Sequence, residues 1–156
     1  MMMHSLLIME YGYIEKDWGI SFPKSYLWCQ ANNFQNDNCS MFLSIADIPL
    51  KRFNFKGFIC DFLLDDKEYR FATYNNSKIK EYKLTEDTVT VSIKKRNYSL
   101  NITCSKADGY SLSSPVKGNM AGNIVETLNS TMNVVLKKCS NTLYSGTSPN
   151  AGLEIV

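Results

Sequence analysis

From Thr88 to Ile93 the chain alternates without a break, with Val89, Val91 and Ile93 on one side and Thr88, Thr90 and Ser92 on the other. A period of two belongs to a strand with one face in a core and the other in water. Stretches rich in β-branched and aromatic residues recur between Asn, Asp, Gly and Ser punctuation, and helical periodicity is almost absent. This spacing predicts strands over 26–34, 40–48, 54–64, 68–75, 78–84, 88–95, 97–105, 110–113, 131–139, 142–146 and 151–156. The fold class is therefore all-β, an antiparallel sandwich or barrel.

Short polar connections such as Leu64-Asp65-Asp66-Lys67, Tyr74-Asn75-Asn76-Ser77, Thr85-Glu86-Asp87 and Ala107-Asp108-Gly109-Tyr110 predict that neighbouring strands pair as hairpins. Lys94-Lys95-Arg96 reads as a charged, solvated hairpin tip rather than a polyanion contact. The segment 114–130 carries Pro115, Gly118 and Gly122 without alternation, which predicts a long crossover with at most a turn or two of helix around Ile124 to Leu128. With no linker or repeat, residues 1–156 are expected to form one β domain behind a short, frayed segment 1–11, in which His4 is given no role.

Composition narrows the function classes. Seventeen Lys and Arg against fifteen Asp and Glu give a net charge of +2, too weak to argue for nucleic acid as a partner. The five cysteines, Cys29, Cys39, Cys60, Cys104 and Cys139, are scattered and odd in number, which fits buried free thiols and a reducing, cytoplasmic setting. The apolar run Leu6 to Met9 is too short for a signal-peptide core or a membrane span. No G-x-S-x-G or P-loop string occurs, and a single histidine argues against a zinc site or a nucleophilic triad.

One stretch departs from ordinary strand chemistry. Residues 12–34 read GYIEKDWGISFPKSYLWCQANNF, placing Glu15, Lys16 and Asp17 among Tyr13, Trp18, Phe22, Tyr26 and Trp28. This string resembles the hallmark of the tocopherol cyclase family, G-Y-x-E-K-D-W-G-x-S-F-P-x-x-[YW]-x-W-x-Q-x-N-x-F. The likeness continues in Leu112 to Met120, in Ile124-Val125-Glu126 and in the terminal Ala151-Gly152-Leu153-Glu154. It implies a lipocalin-like, two-part β architecture, related to carotenoid hydratases and AttH-like proteins, whose apolar cavity receives an isoprenoid. Plant members of the family cyclise a prenylated quinol to a chromanol. Because the hallmark comes so early, the chain is expected to correspond to the second, carboxy-terminal half of that fold.

Alternation through the hallmark puts Tyr13, Glu15 and Asp17 on one face and Ile14, Lys16 and Trp18 on the other. Carboxylates two residues apart lie ~7 Å from each other. In a poorly hydrated site one of them would hold its proton to a higher pH. Such an acid can protonate a trisubstituted alkene, and Trp18, Tyr26 and Trp28 can stabilise the resulting cation by about 0.5–2 kcal/mol each. Asp17 is the expected proton donor, with Glu15 beside it and Lys16 as orienter or counter-charge. Tyr13, Trp18, Tyr26, Trp28, Gln30 and Asn32 are the expected ligand contacts. The chemistry calls for no metal or nucleotide cofactor.

The same residues also fit a plainer arrangement, in which Glu15 and Lys16 pair across strands, Asp17 caps a turn, the aromatics fill a barrel, and Gln30 and Asn32 close a buried network. Glu126 and Glu154 are read as holding a strand end or the crossover in place. The expected partner is an apolar or prenylated small molecule. The expected function is tocopherol-cyclase-like handling of it, by acid-catalysed cyclisation or hydration, or else non-catalytic carriage in the same cavity. A further alternative is a half-domain that needs a second copy of itself, or a separate amino-terminal half, to cover its open edge.

Overall fold

The structure, a computed structural model, describes residues 12–16, 19–35, 38–50 and 53–156. Among the described residues ten antiparallel strands make one sheet: β1 (Tyr26–Ala31), β2 (Cys39–Leu50), β3 (Phe53–Leu64), β4 (Lys67–Ala72), β5 (Lys78–Leu84), β6 (Thr88–Lys95), β7 (Tyr98–Ser105), β8 (Tyr110–Val116), β9 (Asn119–Lys138) and β10 (Asn141–Ile155). The order is β4-β3-β2-β1-β10-β9-β7-β6-β5, with β8 added to the first half of β9. All ten are joined by antiparallel pairing.

The turns follow the expected chemistry. Asp65 and Asp66 both take positive φ (48° and 63°), the backbone of a two-residue hairpin whose twist matches its strands. After β4 a single 3-10 turn, Thr73–Asn75, ends at Asn76 in the left-handed region, and the Asn75 carboxamide accepts from the Ala72 N–H at 3.0 Å. Arg96 at the tip between β6 and β7 has a φ of 52°, so the basic run ends in a turn there, with Lys94 and Lys95 closing β6.

Alternating residues of nearly every strand meet in one core. Leu27, Cys29 and Ala31 of β1 and Met41, Leu43 and Ile45 of β2 pack with Phe62, Ile93, Ile102 and Leu136 from the rest of the sheet. A single cluster drawing on both ends of a long sheet requires the sheet to roll. The β4 edge comes round to β6 and β7, where the rings of Tyr69 and Tyr98 lie 5.8 Å apart and the Lys95 ammonium donates to the Arg70 carbonyl at 2.9 Å. Hydrogen-bonded pairing does not link β4 to β5 among the described residues, so the result is a rolled but unclosed sheet of the lipocalin-like barrel or sandwich class.

Three expectations need correction. The segment 114–130 is not a crossover: it forms the second half of β8, a tight turn and the first half of the 20-residue β9. Its alternation is masked by irregular register near Ser130, where the Asn129 N–H is held by the Thr127 hydroxyl at 3.1 Å. Likewise 142–146 and 151–156 are one strand, β10, whose register shifts around Pro149, a residue with no N–H for a ladder. The cysteines are all free, but Cys139 is exposed at the β9–β10 turn instead of buried.

The interior of the roll is filled. Phe62 is fully buried and packs against Tyr144 at 5.0 Å and Phe34 at 6.5 Å, and the Cys39 thiol donates to the Tyr144 hydroxyl at 3.1 Å. Phe34 joins this cluster because β1 ends at Ala31, which frees it from the outward face that simple alternation would give it. Both cavities considered below lie on the opposite, outer face of the sheet. Among the described residues no helix is long and apolar enough to cross a membrane. A filled interior predicts that Phe62→Ala lowers unfolding free energy by about 3–5 kcal/mol, the range for deleting a packed aromatic ring. Urea denaturation with an unchanged m-value checks this, and a loss below about 1 kcal/mol would mean that the core tolerates a cavity there.

Candidate functional site

While Leu27, Cys29 and Ala31 point into the core, alternation turns Tyr26, Trp28 and Gln30 to the outer face. Register then selects their neighbours. Trp28 stands opposite Glu154 of β10 on one side and Ser44 of β2 on the other, and Glu154 stands opposite Glu126 of β9. Four strands, two of them about a hundred residues beyond the other two, thus present one row of side chains.

The terminal string Ala151-Gly152-Leu153-Glu154 serves this arrangement position by position. Ala151 and Leu153 are buried in the core, and Glu154 faces the row. Gly152 makes room: a Cβ there would stand 2.8 Å from Cζ3 of Trp28, so the indole lies directly over the backbone. The Tyr26 hydroxyl donates to Oε2 of Glu154 at 2.7 Å.

Residues 12–16 and 19–23 run across this face. Glu15 Oε2 accepts from the Trp28 indole N–H at 2.8 Å and from the Tyr13 hydroxyl at 2.7 Å. Tyr13 stacks on Phe42 at 5.7 Å, and Phe22 meets Tyr26 edge-on at 6.1 Å. At the far end the β8–β9 turn grips the segment, because the Lys117 N–H donates to the Ser21 hydroxyl at 2.9 Å and the Gly118 N–H to the Ile20 carbonyl at 2.8 Å. Both turn residues have positive φ (50° and 85°), which aims their N–H groups at the strap and explains the Gly at 118.

Between strap and sheet lies a cavity of about 530 Å³. Phe22, Tyr26, Trp28, Phe42 and Ile59 form its apolar walls, and Glu15, Glu126 and Glu154 bring three carboxylates to it. Burial raises the Glu154 pKa above the ordinary carboxylate range; the Tyr26 hydrogen bond opposes this, and the nearby charges of Glu126 and Glu15 add to it. Tyr26 is held well above the usual phenol range, first by burial and then by its bond to Glu154 and the charges of Glu154 and Glu126. Among the described residues there is no cluster of His, Cys, Asp and Glu suited to a metal ion.

Of the residues singled out from the sequence, Glu15, Tyr26 and Trp28 line this cavity, and Tyr13 is tied to it through Glu15. Tyr13 and Glu15 share a side, as alternation predicts, although 12–16 is not a strand. Asp17 and Trp18 lie outside the described residues. Lys16 is exposed and lines neither cavity, whereas Gln30 and Asn32 line a second one with Tyr13. Glu154 and Glu126 were underweighted in the sequence: both occur in family-like strings, but their meeting with Trp28 and Tyr26 depends on pairings across more than a hundred residues.

The raised pKa of Glu154 has a consequence for stability. A carboxyl whose folded pKa exceeds its unfolded one favours the fold when protonated, and that advantage is lost as pH climbs from the unfolded value through the folded one. Glu154→Gln keeps an acceptor for Tyr26 and removes the charge. It should therefore raise the urea midpoint at pH 7, by an amount that shrinks as pH falls below the ordinary glutamate range; an equal gain at all pH values would show that ionisation of Glu154 is not its source.

A comparison with protein-family models aligns residues 9–156 with the family described as tocopherol cyclase-like. No curated protein and no solved structure matches the chain. The family match extends over nearly the whole chain and takes in the strap, the β8–β9 clamp and the terminal strand that build this site, so the chain belongs to the tocopherol cyclase-like family.

Proposed function

We propose that the cavity under the strap receives an apolar small molecule of the isoprenoid kind and that its carboxyl groups carry out proton chemistry on a prenyl double bond. The observation that carries this reading is Glu154, a half-buried carboxyl with raised proton affinity set between the rings of Tyr26 and Trp28. Family membership supports the choice of ligand class.

The reaction balances without a cofactor. The acid O–H of Glu154 breaks and a C–H bond forms at the less substituted alkene carbon, leaving a tertiary carbocation. The rings of Trp28, Tyr26 and Phe42 and the charges of Glu15 and Glu126 stabilise that cation, the rings by about 0.5–2 kcal/mol each. A phenol oxygen of the same substrate then forms the C–O bond, and its proton passes to a carboxylate, so the product is an isomer. If water takes the place of the phenol, the product is a tertiary alcohol. Asp17, two positions beyond Glu15, is kept as a second donor to be tested beside Glu154, and Lys16 as its counter-charge.

Incubation with a prenylated hydroquinone, and separately with a linear carotenoid, should give a cyclised or hydrated product detectable by mass and retention time. Glu154→Gln should lower turnover by about 10²–10⁴-fold, the range for a positioned acid, with little change in KM. Activity should fall as pH rises and Glu154 ionises. Equal loss in Asp17→Asn with Glu154→Gln unaffected would move the acid to Asp17. Saturable binding of these compounds without turnover would leave a carrier, and absence of binding would overturn the reading.

A further inference from the structure

Beyond the stack of Tyr13 on Phe42, the outer face holds a second cavity, of about 590 Å³. Phe42 lines both cavities, so the aromatic pair stands between them. Register aligns one row across four strands along it, from the buried Gln30 side to the exposed rim: Gln30 opposite Phe42, Phe42 opposite Asp61, and Asp61 opposite Arg70. Asn32, Asn38 and Glu68 stand around this row.

Two features of the row point to a ligand. Arg70 is fixed in place, its Nε donating to Asp61 at 2.7 Å and its terminal nitrogen meeting Glu68 at 2.6 Å. Gln30 Nε2, by contrast, is fully buried and has no hydrogen-bond partner among the described residues. This amide lies just beneath the cavity floor, so a small rotation of the Gln30 side chain toward the cavity exchanges an unmet donor for a bonded one when a ligand supplies the acceptor.

The chemistry of the walls selects what binds. Donors (the amides of Gln30, Asn32 and Asn38, and the Arg70 guanidinium) are interleaved with acceptors (the same amides' oxygens, and the Asp61 and Glu68 carboxylates). An anion would face Asp61, Asp66 and Glu68, and a cation would face Arg70, which already neutralises two of these carboxylates. A hydroxyl group is both donor and acceptor at one atom, and a ring bearing several hydroxyls suits planar amide and carboxylate groups set side by side. Such a ring also presents an apolar C–H face, for which the Tyr13–Phe42 wall is the complement.

We propose that this second cavity is a binding site for a neutral, polyhydroxylated ring compound, a mono- or disaccharide, with Gln30, Asn32, Asp61 and Arg70 reading its hydroxyls and the Tyr13–Phe42 pair its apolar face. The site is separate from the cavity under the strap and does not depend on the chemistry proposed there. Because most of its polar groups are already held in place by strand register and ion pairs, little side-chain ordering opposes binding.

Calorimetric or NMR titration of the whole chain with glucose, galactose, mannose, maltose, cellobiose and lactose tests it, with spermidine and inorganic phosphate as charged comparators. At least one sugar should bind saturably, and the charged probes should not. Gln30→Met, close in size but without the amide, should weaken that sugar about three- to tenfold, as should Arg70→Lys on the exposed rim. Glu154→Gln should leave the affinity unchanged. Failure of every sugar to bind, binding indifferent to both Gln30→Met and Arg70→Lys, or preference for spermidine or phosphate would each overturn the assignment.

Discussion

The indole of Trp28 is the contact on which the rest of the site depends. It lies against Gly152, so β1 and β10 must keep their register, and its N–H reaches Glu15, so the strap must keep its place over the sheet. Any side chain at 152 would lift the ring, and loss of the indole N–H would leave Glu15 with only the Tyr13 hydroxyl among the bonds described. One aromatic residue thereby joins the hallmark string to the terminal strand, two segments separated by most of the chain. The β8–β9 turn makes the second anchor, and between the two anchors the strap encloses a volume with a defined chemistry.

The division of labour between the two faces follows from alternation. Each strand that contributes Leu, Ile, Cys or Met inward also contributes an outward residue at every second position, and around β1 those outward residues are aromatic or amide-bearing instead of the usual solvated charges. Inside the roll, Phe62, Phe71, Met132 and Leu136 are fully buried. The two cavities described above lie on the outer face, and a crossing segment supplies the second wall of the one lined by Phe22, Tyr26 and Trp28. The irregular residues 12–16 and 19–23 thereby add to the strands beneath them groups that wall this cavity.

Much of this was legible from residue order. Strand class, the Asp65-Asp66 hairpin and the Arg96 tip follow from local turn chemistry and period, and Tyr13 with Glu15 follows from side alternation. The hairpin over 114–130 was not legible, because its period of two is broken by irregular register near Ser130 and its turn glycine reads equally well as a loop. Glu154 shows the deeper limit. Its position in a strand is local information, but its environment is set by Tyr26 128 residues away and by Glu126 across a register that a one-residue slip would invert.

That environment is an unfavourable one to build. Glu126 and Glu154 are directly opposed on adjacent strands, an arrangement that costs stability when both are charged, and Glu15 brings a third carboxylate to the same cavity. Tyr26 supplies a hydrogen bond to one oxygen of Glu154, which favours its ionised form but does not outweigh burial and the neighbouring charges. A glutamine at 154 would accept the same hydrogen bond without the repulsion. Retaining a carboxyl there makes sense if the repulsion itself is useful, since a proton is the smallest cation that relieves it. Under the proposed chemistry a carbocation formed within the cavity would relieve it in the same way, so the cluster that holds the proton before transfer would also stabilise the charge created by transfer.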